Sequence, residues 1–327
     1  METPAIETGV VVKLDRGFPL VRLDDGRELR CEHATSLVKG SDQRAVVGDE
    51  VRISLPDGHD KGIIEETLPR RTSFVRKDPT ERALPQTLAA NFDLVIIAQP
   101  IEDINTRRLE RELVLAHETG AEVLVVLTKA DLMASPAEVE EVRSHIDGFV
   151  GNDELLVISD RDEASVQRLA QIIAEGDKTA VLIGRSGVGK SSLVNMLVGS
   201  DIQKTTAVRG DGKGRHTTVS REIIYLPTGG CIIDMPGVRG LGLWDADEGI
   251  GAAFSDIEEL AASCRFRDCT HTNEPGCAVR AAVESGDLAA ERLESYVRLR
   301  EESAQVKTRR EEAERIRSRR GHPRRRR

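Results

Sequence analysis

Gly184-Arg185-Ser186-Gly187-Val188-Gly189-Lys190-Ser191 spells G-x-x-x-x-G-K-[ST] between an apolar run, Thr179 to Ile183, and the helix-forming stretch Ser192 to Val198. Residues of these types at this spacing hold phosphate. In a strand–loop–helix setting the backbone N–H groups wrap a β-phosphate, and the helix N-terminus adds its positive end. Lys190 then reaches the β/γ oxygens, and the hydroxyl of Ser191, followed by Ser192 in the same turn, ligates Mg²⁺.

Further along, Asp234-Met235-Pro236-Gly237 ends a short apolar run, Gly230 to Ile233. At this distance from a phosphate loop, Asp234 is expected to hold Mg²⁺ through water, and the Gly237 N–H to meet the γ-phosphate. Between the two motifs lies Gly210-Asp211-Gly212-Lys213-Gly214-Arg215-His216-Thr217-Thr218. So many glycines cannot pack a core, so a mobile segment is expected, ordered when Thr217 or Thr218 reaches Mg²⁺ and the γ-phosphate. Ser191, Thr218 and Asp234 form the expected magnesium set.

The base is chosen by Thr128-Lys129-Ala130-Asp131, which follows the apolar run Val123 to Leu127. A carboxylate at Asp131 accepts two hydrogen bonds from guanine N1–H and N2–H, a donor pair adenine lacks, each charge-assisted bond worth roughly 1.5–3 kcal/mol. The stem of Lys129 packs on the ring, and the Thr128 hydroxyl is placed to tie this loop to the phosphate loop. Ser159, at the end of the strand-like run Leu155 to Ile158, marks where a backbone N–H would meet guanine O6. In Ras-like enzymes the base reader stands near the end; here it precedes the phosphate loop, so the parts are circularly permuted.

A second constellation, Cys264-x4-Cys269-x-His271-x5-Cys277, offers three thiolates and one imidazole. That is a closed tetrahedral donor set of the structural-zinc kind, with no ligand position left open for catalysis. The segment is polar and Gly/Pro-containing, so zinc is expected to supply its local fold. Cys31 and Cys231 fall in strand-like segments and read as buried residues.

These motifs need elements to position them. The 327 residues allow two or three domains. From Asn91 onward, apolar strands alternate with amphipathic helices (Thr106 to Glu118, Pro136 to Ile146, Ser165 to Ala174), which predicts a parallel sheet covered on both faces. Each nucleotide motif falls at the C-terminal end of a strand, where such sheets bind ligands. Before it, five short β-branched runs in residues 6–68, with Asp24-Asp25-Gly26 and Pro56-Asp57-Gly58 as turns, predict a small barrel of the OB type. Residues 69–88, with five basic residues and three prolines, read as a linker. After Trp244 only helices are predicted, Ala252 to Ala262, Ala278 to Glu284 and a long one from Leu288 to Arg319. The expected organisation is thus multi-domain: an OB-type β-barrel over 1–68, a linker over 69–88, a circularly permuted α/β P-loop domain over 89–243, and a zinc-binding helical domain with a basic tail over 244–327.

Composition narrows the partners. Charged residues are 31% of the chain and aromatics 3%, so stacking on rings cannot be its main binding device. The net charge of −9 conceals a polarity, for residues 307–327 hold eleven Lys or Arg against three Glu. A basic tail on an acidic body suggests a polyanionic partner at that end. No basic-then-apolar leader opens the sequence and no apolar run reaches the roughly 18 residues of a membrane span, which predicts a cytoplasmic protein.

Taken together, G-R-S-G-V-G-K-S-S, G-R-H-T-T, D-M-P-G-V-R and C-x4-C-x-H-x5-C, in that order, resemble the RsgA (YjeQ/EngC) family of circularly permuted GTPases. The resemblance spans nearly the whole chain. It implies a monomeric GTP hydrolase, with GTP/GDP, Mg²⁺ and one structural Zn²⁺, that acts late in maturation of the small ribosomal subunit, contacts its rRNA and is stimulated by the subunit. After Gly237, where Ras-like enzymes place a water-orienting Gln, this chain has Val238, whose isopropyl group cannot polarise water. His216 is the candidate that positions the attacking water instead, since an imidazole accepts from water and titrates near neutrality.

Two other readings compete. An ATP-dependent P-loop enzyme is opposed by Asp131. A non-catalytic, nucleotide-regulated RNA-binding assembly protein draws on Val238, and multiple-turnover phosphate release separates it from a GTPase.

Overall fold

The computed structural model describes residues 6–15, 18–40, 44–55, 60–77, 85–199, 221–235 and 242–320. At the N-terminus, β1 (Ile6–Asp15), β2 (Phe18–Leu23), β3 (Glu28–His33), β4 (Glu50–Ser54) and β5 (Gly62–Thr67) pair in the order β1-β2-β3-β5-β4, and β4 returns to β1. The sheet is therefore a closed five-stranded barrel, antiparallel except where β3 runs parallel to β5. Closure removes the sheet edges that short strands would otherwise leave unpaired. Alternate side chains, Val11, Val21, Cys31, Val51, Ile53 and Ile64, fill its interior. A short helix, α1 (Thr35–Gly40), which the sequence did not announce, connects β3 towards β4.

The segment read as a linker is corrected here. Residues 73–77 and 85–90 form an antiparallel hairpin of β6 (Ser73–Lys77) and β7 (Pro85–Ala90), whose Phe74 and Leu88 are fully buried. Arg70, Arg71 and Arg76, among the basic residues that suggested a solvated connector, serve as ties instead. Arg70 donates twice to the buried carboxylate of Asp49, at 2.7 and 2.8 Å. Removing Arg70 would leave a fully buried carboxylate without its charged partner, which is strongly destabilising. Asn91 donates to the Gly48 carbonyl at 3.0 Å, and Val47 bridges to Ala89. Gly48 has φ +88°, and a Cβ there would lie 2.0 Å from the Ala90 carbonyl oxygen, so only glycine permits this approach of barrel to hairpin.

The central sheet has the order β10-β9-β8-β11-β13-β12. Its strands are β8 (Leu94–Pro100), β9 (Glu122–Thr128), β10 (Glu154–Val157), β11 (Thr179–Ile183), β12 (Arg221–Tyr225) and β13 (Cys231–Asp234), all parallel but β12. The central strands β8, β9 and β11, buried on both faces over nearly their whole length, are near-continuous runs of Val, Ile and Leu. One face, with Val95, Ile97, Val125 and Val181, is covered by α2 (Thr106–His117) and α3 (Pro136–Val150). The other, with Ile96, Leu124, Val126 and Leu182, is covered by α4 (Glu163–Ala174) and α5 (Lys190–Val198). The chain moves outward from β8 through β9 to β10, then returns to lay β11 on the other side of β8. The crevice for a ligand opens at such a reversal. β12 also pairs with β1, so the barrel and the central sheet are hydrogen-bonded into one eleven-stranded sheet.

The C-terminal part is helical: α6 (Asp247–Ala253), α7 (Ser255–Ala261), α8 (Ala278–Ser285) and α9 (Ala290–Arg320). The single helix expected over 252–262 is broken at Phe254, which leaves helical dihedrals at φ −119°, ψ 38°. Its buried ring meets Tyr296 edge-on at 5.5 Å and lies under the Arg292 guanidinium at 4.7 Å. Arg292 itself is buried, paired with Asp256 at 2.6 Å and with Glu110 of α2 at 3.4 Å. Arg111 of α2 donates twice to Glu302 of α9. The helical part thus packs on α2, the helix that covers one face of the central sheet.

Candidate functional site

Residues 184–189 form the loop between β11 and α5, with Val188 buried as its anchor among the core residues of the sheet. Gly184 has φ +142°, and a Cβ on it would lie 2.6 Å from the Ala98 carbonyl oxygen, so the loop leaves the sheet where only glycine fits. Arg185, Ser186 and Gly187 are exposed at the crest, and Gly189 in the left-handed region caps α5. Ser191 and Ser192 follow in the first helical turn. Lys190 folds back over the loop, its Nζ donating to the carbonyls of Gly184 at 2.6 Å and Arg185 at 2.8 Å. Burial pushes the pKa of its ammonium below the ordinary value, against the opposing pull of the Asp234 and Glu112 carboxylates. A half-desolvated ammonium with donors aimed along the loop suits phosphate.

The base-reading segment sits beside this loop. Thr128 ends β9, Lys129 takes a left-handed conformation (φ 63°), and Asp131 lies within a single 3-10 turn, Ala130–Leu132. The buried Thr128 hydroxyl donates to the Val188 carbonyl at 2.6 Å. Its oxygen also lies 3.2 Å from the Gln99 carbonyl. The loop after β10 closes the same corner: the Ser159 hydroxyl accepts from the Arg161 N–H at 3.1 Å, and the Ile158 carbonyl accepts from Ala130 N–H at 3.2 Å. Thr128, Lys129, Ile158, Asp160, Gly189, Ser192, Leu193 and Met196 line one cleft between these segments. Three loops from three separate stretches of sequence therefore converge at the C-terminal edge of the sheet.

Asp234 closes β13, with Leu182 opposite it on β11 and Glu222 opposite it on β12. Its carboxylate and the Ser191 hydroxyl are hard oxygen donors on neighbouring segments, a donor set that suits Mg²⁺. The expected residues His216, Thr217, Thr218 and Gly237 lie outside the described residues.

Two carboxylates that no motif announces stand at the rim. Glu102 pairs with Lys129 at 3.0 Å, and Asp103 pairs with Arg185. Both belong to the turn after β8, so the base-reading loop and the phosphate loop are each tethered to that turn by an ion pair. Nothing in the sequence marks this turn, because its role depends on β8 lying between β9 and β11.

One donor atom from each of Cys264, Cys269, His271 and Cys277 gathers as expected, all within 4.8 Å of one another. Cys264 and Cys277 Sγ are 3.8 Å apart, and His271 Nδ1 lies 3.7 and 3.4 Å from them. Tetrahedral zinc with bonds of about 2.3 Å to sulfur and 2.0 Å to nitrogen requires edges of about 3.5–3.8 Å. The donor set fits. Burial pushes the His271 pKa down, which keeps the imidazole neutral as a ligand must be. Cys277 also caps α8, its sulfur accepting from the Arg280 N–H at 3.4 Å.

Comparison with known proteins agrees with this geometry. The sequence profile described as RsgA GTPase matches residues 67–244. A protein of Streptomyces avermitilis named small ribosomal subunit biogenesis GTPase RsgA is 42% identical over 309 residues, covering 93% of this chain and 82% of that one. Among solved structures, YjeQ from Thermotoga maritima superposes with a TM-score of 0.68 at 26% identity, over 92% of this chain and 99% of that one. YloQ, described as a circularly permuted GTPase, superposes with a TM-score of 0.64 at 25% identity, over 93% and 96%. A barrel, a permuted nucleotide domain and a Cys/His-bearing helical part, together with these matches, make this chain a member of the RsgA GTPase family.

Proposed function

We propose that this protein hydrolyses GTP to GDP and phosphate as a late maturation factor of the small ribosomal subunit, bound to the subunit's rRNA and stimulated by it. The observation that carries this reading is the bond from Thr128 to the Val188 carbonyl, which joins base reader and phosphate loop into one cleft despite their permuted order. The named relatives carry the ribosomal part.

In this reading Asp131 accepts from the guanine edge, Lys129 covers the ring, and the loop behind Ser159 presents an N–H to O6. The amides of residues 184–192 and the ammonium of Lys190 grip the phosphates. Ser191, Thr218 and Asp234 hold Mg²⁺, which when bound neutralises charge on the β- and γ-oxygens. Gly237 senses the γ-phosphate, and His216 orients the attacking water. Cys264, Cys269, His271 and Cys277 hold a structural zinc. The three working units are residues 1–68, 89–243 and 244–327, with β6 and β7 between the first two. Among the described residues no helix is long and apolar enough to cross a membrane. The protein works as a monomer in the cytoplasm.

Phosphate release from GTP and from ATP, with purified small or large subunits added separately, tests the reading. GTP-specific turnover accelerated by the small subunit alone is expected. Turnover of ATP, or equal response to either subunit, contradicts it.

A further inference from the structure

Helix α2 carries an apolar stripe, Leu109, Leu113 and Ala116, that packs on the sheet, and an acid interrupts it. Glu112 falls on this stripe and is 0% exposed. Its carboxylate accepts from Arg108 Nε at 2.8 Å and, through the other oxygen, from the Gln99 side-chain amide at 2.5 Å. Gln99, also buried, is the penultimate residue of β8, and the Thr128 hydroxyl lies between its carbonyl and that of Val188. A contiguous polar network thus runs from α2 through the end of β8 to the base-reading loop and on to the phosphate loop.

A carboxylate buried this deeply is costly, and a buried polar cluster replaced as a whole by apolar side chains of similar volume is often neutral or stabilising. Packing alone therefore does not account for the acid. The loops above it require a fixed separation, because a nucleotide spans from Asp131 to Lys190 and tolerates little variation in that span. We propose that Glu112 is a positioning residue for the nucleotide: held by Arg108, it clamps Gln99 and so fixes the spacing of the base-reading and phosphate loops. The inference rests on the nucleotide-site reading above. In addition, the Glu112 carboxylate opposes the desolvation of Lys190, whose ammonium must stay charged to meet phosphate.

The test uses the full chain. For Glu112→Gln, which keeps the volume and removes the charge, the dissociation constant for a fluorescent GDP analogue and the KM for GTP are expected to rise about tenfold with kcat changed less than about twofold, as for loss of uniform binding. In the double variant with Thr128→Val the loss should stay within about twofold of the larger single effect, since both cut one network. Wild-type GDP affinity in a Glu112→Gln protein of lowered Tm, or full multiplication of the two losses, overturns the proposal. Should Glu112→Gln fail to fold, Gln99→Met keeps the Arg108–Glu112 pair and is expected to raise the GDP dissociation constant about threefold; no change overturns it. Asp131→Asn assayed with XTP separates the two levels. If XTP binding is not gained, the nucleotide-site reading itself falls; if it is gained while Glu112→Gln binds GDP normally, only this proposal does.

Discussion

The Thr128 hydroxyl donates to the Val188 carbonyl across 2.6 Å, joining residues sixty positions apart in the chain. Both are buried, so the bond is shielded from water and the carbonyl has little access to a substitute donor. Thr128→Val keeps the shape and deletes the donor. Leaving a buried acceptor unpaired costs about 1–3 kcal/mol. Where that cost falls on loop spacing, GDP affinity is expected to drop roughly five- to a hundredfold, while Thr128→Ser stays near wild type. Titration with a fluorescent GDP analogue measures both.

His216 is the proposed water-orienting group, since Val238 cannot serve. His216→Ala is expected to reduce subunit-stimulated kcat on the order of a hundredfold, with GTP affinity changed only a few-fold. Single-turnover hydrolysis in the presence of small subunits checks it. Unaltered stimulated turnover removes His216 from the mechanism.

The Cys/His cluster makes a separate prediction about folding. Freshly purified protein is expected to carry one zinc per chain by elemental analysis. Cys277→Ser, which also weakens the cap of α8, should lose the metal and expose the amides of 264–277 to exchange by at least about a hundredfold, given zinc-binding energies on the order of 10 kcal/mol. GDP affinity of that variant should be retained, because the cavity beside the cluster shares no lining residue with the nucleotide cleft.

The joint between α2 and α9 is expected to be acid-sensitive. The Arg111 guanidinium holds the Glu302 carboxyl below its ordinary value, against the opposing effect of burial. A depressed pKa stabilises the fold above the unfolded-state value, and that stability is lost as pH falls through the folded-state value. Thermal melts of wild type and Glu302→Gln should therefore differ at neutral pH and converge as pH drops below the usual carboxylate range. A gap in Tm that persists in strong acid would assign the effect to packing.

Much of this architecture could be read in the residues. In the proposed site the motifs in 128–131 and 184–191 act through backbone amides and a few side chains at fixed spacing, so local sequence marks them. β11 was expected at its observed limits, since a buried parallel strand must be a short apolar run ended by the phosphate loop. The hairpin of 73–90 was not legible, because its Arg70 and Arg71 look like solvated charges until Asp49 and Asp93 are brought opposite them. Glu102, Asp103, Gln99 and Glu112 escaped for the same reason: their partners are set by strand order. The break at Phe254 depends on Tyr296 and Arg292, some forty residues away.

The account stands most directly on Asp131 as the acceptor for the purine edge. Asp131→Asn replaces that acceptor by an amide, which matches xanthine's carbonyl at the 2-position in place of guanine's amino group. Competition of GTP against XTP for the purified variant is the decisive measurement. A reversal of preference, from GTP in the wild type to XTP in the variant, is predicted; GTP still preferred by the variant would contradict the site.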